Sequence, residues 1–110
     1  MSTENPYAVF LKEMPQAAQA FNGLIEAVCA MDGLDGKTRQ LIYIGVKASQ
    51  GDAAAVAAHA PMAKQAGATR EEICGALALT LTTSGVSGVI KCLPGALAAY
   101  DNADGKEMGL

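Results

Sequence analysis

Gly51-Asp-Ala-Ala-Ala-Val-Ala-Ala-His59-Ala-Pro-Met-Ala-Lys-Gln-Ala-Gly67-Ala-Thr-Arg-Glu-Glu72-Ile73 is the stretch on which the fold turns. Asp52 has the short acceptor side chain that caps a helix N-terminus, and Gly67 is a natural stop. Between them lie alanines, one histidine and Pro61, which should kink the helix near its middle. Thr69-Arg-Glu-Glu72 is a capping box. Its Thr can accept from the Glu backbone while the Glu reaches back to the Thr amide, so a further helix starts there and is expected to run through Thr83.

The same punctuation extends to both sides. Asn5-Pro6 opens a short helix to about Met14, and Pro15 opens the next. In that second helix Met14, Ala18, Phe21, Ile25 and Val28 recur at spacings of four and three, an apolar stripe halted by Asp32-Gly33. A third helix starts after Asp35 and stops at Gly51. Its centre, Leu41-Ile-Tyr-Ile-Gly-Val46, reads as apolar all round and so as centrally buried. Ser84-Gly-Val-Ser-Gly88 is a turn, and a last helix runs from about Val86 to Asp101, perturbed at Pro94. The tail from Asn102 to Leu110 is expected to fray. The fold class is all-α, with about six helices in one domain spanning 1–110.

Composition narrows the function. Half of the 110 residues are hydrophobic, but only two Phe and three Tyr occur and no Trp, a palette suited to closely packed helices. A net charge of −3, with eight scattered Lys and Arg, gives no basic face for nucleic acid. The uncharged run from Ile73 to Ile90 is interrupted by Thr80, Thr82, Thr83, Ser84 and Gly85, so it makes a poor membrane span. Met1-Ser-Thr-Glu-Asn-Pro6 does not resemble a secretory leader. Three widely spaced cysteines imply neither a disulfide framework nor a zinc site, so a reduced, cytoplasmic protein without metal or cofactor is expected.

Few residues carry chemistry. His59 can exchange protons near neutrality. On its own helix the residues sharing its face are Ala55, Val56, Met62 and Ala63, none able to hydrogen-bond it through a side chain. It is either a core histidine satisfied by backbone or water, or a proton donor or acceptor lining a small pocket. Asp52 is first an N-cap. Gly85 and Gly88 either receive an anion at a helix start or let two helices approach closely. Cys29 and Cys74 sit among apolar neighbours as small core residues, while Cys92, next to Lys91, is the candidate for a reactive thiol.

Leu34-Asp-Gly-Lys-Thr-Arg39-Gln-Leu-Ile42, then His59, then Gly67-Ala-Thr-Arg-Glu-Glu-Ile73, then a glycine-bearing turn and a final helix, resembles the carboxymuconolactone decarboxylase family, which includes the alkylhydroperoxidase D-like proteins. The resemblance covers about Phe21 to Tyr100. It implies a six-helix protomer assembling into homotrimers or homohexamers. The redox branch carries Glu, eleven residues, Cys, two residues, Cys, three residues, His. Laid on His59, that pattern falls on Gln40, Asp52 and Ala55, so the dithiol relay and its base are absent. The decarboxylase branch keeps a histidine at this place without the cysteine pair. This chain has no second histidine in its last helices.

Three functions follow. The first is a small-molecule enzyme with His59 as general acid or base, Gln40 and Asp52 as polar orienting groups, and an apolar or carboxylate-bearing substrate. The second is a thiol-dependent peroxidase with a rebuilt site in which His59 deprotonates Cys92. The third is a non-catalytic oligomeric binding protein that has lost the site.

Overall fold

The computed structural model describes residues 5–103, and all of their regular structure is helical. The helices are α1 (Pro6–Glu13), α2 (Pro15–Cys29), α3 (Gly36–Ser49), α4 (Ala53–Gln65), α5 (Arg70–Leu79) and α6 (Ser87–Asn102). The chain forms two compact units, Met1–Gly33 and Leu34–Leu110.

The first unit is a helical hairpin. The Asn5 side chain accepts from the Ala8 amide at 2.7 Å and so caps α1. Met14 breaks the helix with φ −133° and ψ 63°, because the Pro15 ring bars the residue before it from the helical region. The hairpin closes through an edge-on contact of Phe10 with Phe21 and a hydrogen bond from the Tyr7 hydroxyl to Asn22.

In the second unit α3, α4 and α5 each carry the side-chain cap expected from the sequence, whereas α6 starts after Val86 without one. Asp35 accepts from Thr38 at 2.8 Å and Asp52 from Ala55 at 3.0 Å. Thr69 and Glu72 form both arms of the capping box, at 3.0 and 2.9 Å. Gly51 (φ 72°) and Gly67 (φ 105°) take the left-handed turns that follow α3 and α4. The core is built from Ile44 of α3, Val56 and Ala63 of α4, Ile73 and Leu77 of α5, and Cys92 and Ala96 of α6, all without solvent exposure. The alanines let α4 and α6 pack closely. Gly88 does the same between α6 and the end of α3, where an added Cβ would overlap the Ala48 carbonyl oxygen. Close approach is therefore what this glycine provides.

Cys29 is exposed and Cys74 only half-buried, so neither is the small core residue expected, and three further expectations need correction. The regular α5 ends at Leu79 and passes into a 3₁₀ turn over Thr80–Thr82 rather than running through Thr83. The hydroxyls of Thr80 and Thr82 donate back to the carbonyls of Leu77 and Leu79, an alternative to continued helix. Second, α3 is not buried all round. Ile44 and Ala48 are fully covered, whereas Ile42 and Val46 are about half exposed. Third, Asn102 ends α6 and Ala103 is buried, so no fraying begins there. The rest of the tail, 104–110, lies outside the described residues. Helix α4 runs continuously through Pro61.

Candidate functional site

The antiparallel hairpin α3–α4 assembles the polar cluster. Gln40, Tyr43 and Lys47 are spaced by three and four residues, so they form one stripe along α3. Asp52 and His59 lie two turns apart along the facing side of α4. Because the helices run in opposite directions from the turn at Gly51, Lys47 meets Asp52 near the turn. Gln40 meets His59 two turns farther out.

Gln40 Oε1 lies 2.9 Å from His59 Nδ1. An amide oxygen only accepts, so Nδ1 is the donor in this contact, and in the neutral imidazole that leaves the lone pair on Nε2. The imidazole also stacks on Tyr43, with ring centroids 3.8 Å apart and planes 23° from parallel. One partner fixes the ring's edge and the other covers its face. Burial lowers the His59 pKa, and the nearby Lys47 cation lowers it further. Both effects favour a neutral imidazole near pH 7.

Lys47 is held over the Tyr43 ring, 5.8 Å from its centroid, and its ammonium lies 3.7 Å from Asp52 Oδ2. The other Asp52 oxygen is the α4 cap, so this carboxylate serves a helix terminus and a lysine together. Asp52 therefore joins the cluster at the Lys47 end, while Gln40 reaches the imidazole directly. Cys92 stands apart from this chemistry in the α6 contribution to the core. It has no solvent exposure, and burial pushes its thiol pKa up, the reverse of what a nucleophilic thiolate needs.

Tyr43 and Lys47 join the site only in the structure. The usable signal was the spacing of three polar or aromatic side chains on a helix read only for its apolar content. A separate open groove of about 730 Å³ lies between α3 and α5, lined by Leu41, Ile42, Val46, Ala76 and Leu79. At 100° per residue its α3 lining sits about half a turn around the helix from Gln40, Tyr43 and Lys47. The groove and the histidine cluster thus occupy opposite sides of α3. Among the described residues no group of three or more His, Cys, Asp or Glu could hold a metal ion, and no helix is long and apolar enough to cross a membrane.

The sequence model of the carboxymuconolactone decarboxylase family matches residues 15–99. The chain belongs to this family. No curated protein matches it, and no solved structure does. As a carboxymuconolactone decarboxylase family member it holds Gln40 against the histidine where the redox pattern would place a glutamate. Where that pattern would place two cysteines, Asp52 accepts from the Ala55 amide, so a helix cap occupies the position of a dithiol.

Proposed function

We propose that this carboxymuconolactone decarboxylase family member is a small-molecule enzyme of the decarboxylase or lactone type, in which His59 transfers a proton through Nε2. The observation that carries this reading is the pair of contacts on one imidazole, Gln40 at its Nδ1 edge and Tyr43 on its face. Together they support a neutral ring with a single tautomer, the form in which histidine accepts a proton as a general base. In a lactone decarboxylation the departing carbon dioxide leaves its bonding electron pair in a dienolate. Nε2 takes the proton of the substrate's carboxyl group before the carboxylate loses carbon dioxide, and the imidazolium so formed returns that proton to the dienolate carbon, restoring the neutral ring. The polar orienting groups are Gln40, at the ring itself, and Asp52, through Lys47.

Family membership and half-exposed apolar side chains such as Ile42 and Val46 support assembly into a homotrimer or homohexamer. Light scattering on the purified protein distinguishes these from a monomer. The test of the activity is carbon dioxide release from carboxymuconolactone by the wild type and by His59→Gln. The expected result is turnover in the wild type and none in a folded variant. A wild type inert toward this lactone excludes the decarboxylase reading, and an undiminished variant excludes His59.

A further inference from the structure

We propose that Tyr43 is a positioning residue for His59, holding the imidazole by face-to-face stacking, and that Lys47, anchored by Asp52, sets the electrostatic environment of that stack. The inference rests on the reading of His59 as the proton-transfer group and adds how its protonation is governed.

A hydrogen bond at Nδ1 alone leaves an imidazole free to swing about the bond axis. A ring 3.8 Å away and nearly parallel removes that freedom, so Nε2 points in one direction. Tyr43 is itself 36% exposed and His59 partly buried, so the stack lies at the edge of the core rather than within it. Lys47 is then placed on the Tyr43 ring by cation–π attraction and on Asp52 by charge. Four side chains from two helices form a continuous file: Asp52, Lys47, Tyr43, His59.

Several other charged groups on α4 and the helices packed against it are engaged elsewhere. On α4 itself, Lys64 donates to the Tyr100 carbonyl oxygen at 2.9 Å. On α5, Glu72 is paired with Lys37 and Arg70 with Asp101 of α6, while Glu71 lines the groove on the far side of α3. The stem of Lys91 on α6 runs beside Gly51. Lys47 is the charge that acts on His59, and it disfavours the imidazolium. Removing Lys47, or uncovering the ring, therefore raises the His59 pKa.

Because His59 is the sole histidine, its Cε1 and Cδ2 resonances can be followed through a pH titration without ambiguity. In the wild type the expected result is nuclear Overhauser contacts between the His59 and Tyr43 ring protons. Tyr43→Leu is expected to remove the ring-current displacement of the His59 protons and move the titration midpoint up. Tyr43→Phe keeps both features near wild type. Lys47→Met moves the midpoint up while leaving the ring-current displacement in place. Wild-type protein without inter-ring contacts overturns the proposal, and that arm holds even if Tyr43→Leu does not fold. A folded Tyr43→Leu with unchanged shifts and midpoint also overturns it, as does Lys47→Met with an unmoved midpoint. These readouts do not depend on turnover, so they separate failure of the stack from failure of the proposed activity.

Discussion

Gln40 on α3 holds the Nδ1 edge of His59 on α4 at 2.9 Å, tying the two helices together at the histidine. Replacing this amide by carboxylate puts an anion against the ring, which stabilises the imidazolium. Gln40→Glu is therefore expected to raise the His59 titration midpoint and weaken its action as a base at neutral pH. Gln40→Leu removes the acceptor and should cost about 1 kcal/mol of stability, the usual net worth of one hydrogen bond. Nuclear magnetic resonance titration and chemical denaturation read the two effects. An unmoved midpoint in Gln40→Glu would show that the pair does not form in solution.

Gly88 leaves no room for a side chain, since an added Cβ would overlap the Ala48 carbonyl oxygen. That neighbour is backbone and cannot rotate away, so α6 must shift off the end of α3. Gly88→Ala is expected to destabilise the protein by about 1–3 kcal/mol or more despite the better helix propensity of alanine. A denaturation midpoint equal to wild type would sink this account.

Which parts were legible in the sequence follows from how far apart the interacting groups lie along the chain. Caps such as Asp52 and the Thr69–Glu72 box act within three residues, so composition and spacing reveal them directly. The regular α5 ends earlier than its hydrophobic pattern predicts because Thr80 and Thr82 satisfy carbonyls through their hydroxyls, which such a pattern does not register. Around His59, the helix's own neighbours are apolar and its partners come from α3. Contacts across a hairpin need the register of the turn, and only the structure supplies it. Reading α3 as uniformly apolar concealed the Gln40, Tyr43 and Lys47 stripe for the same reason.

The carboxylates of Asp35, Glu72 and Asp101 all have lowered pKa values. Backbone hydrogen bonding to Thr38 leads for Asp35, bonding to Thr69 for Glu72, and the Arg70 hydrogen bond for Asp101. A carboxylate with a depressed folded pKa contributes stability that is present above its unfolded pKa. That contribution is lost as pH falls through the lower folded value. Stability is expected to decline below the ordinary carboxylate range. In Glu72→Gln the amide can still complete the capping box but no longer titrates, so the decline should be shallower than in wild type. Denaturation at a series of acidic pH values measures the slopes, and identical slopes would remove Glu72 from the account.

Cys92 decides whether thiol chemistry has any place in this fold. Its side chain is fully covered in the core with Ile44, Val56 and Leu77, and burial raises its pKa even though the neighbouring Lys91 favours the thiolate. Nucleophilic attack needs both a thiolate and access, and the packed core denies each. Iodoacetamide at pH 7, followed by peptide mass spectrometry to distinguish Cys29 and Cys74, is expected to leave Cys92 unmodified in the folded protein. In denaturant it should label at the rate of an ordinary cysteine. Cys92→Ala keeps the site apolar but removes packed volume, so it should cost stability while leaving the His59 titration unchanged. Rapid native labelling of Cys92, together with a moved His59 midpoint in the variant, would reverse this conclusion and place a thiol beside the imidazole.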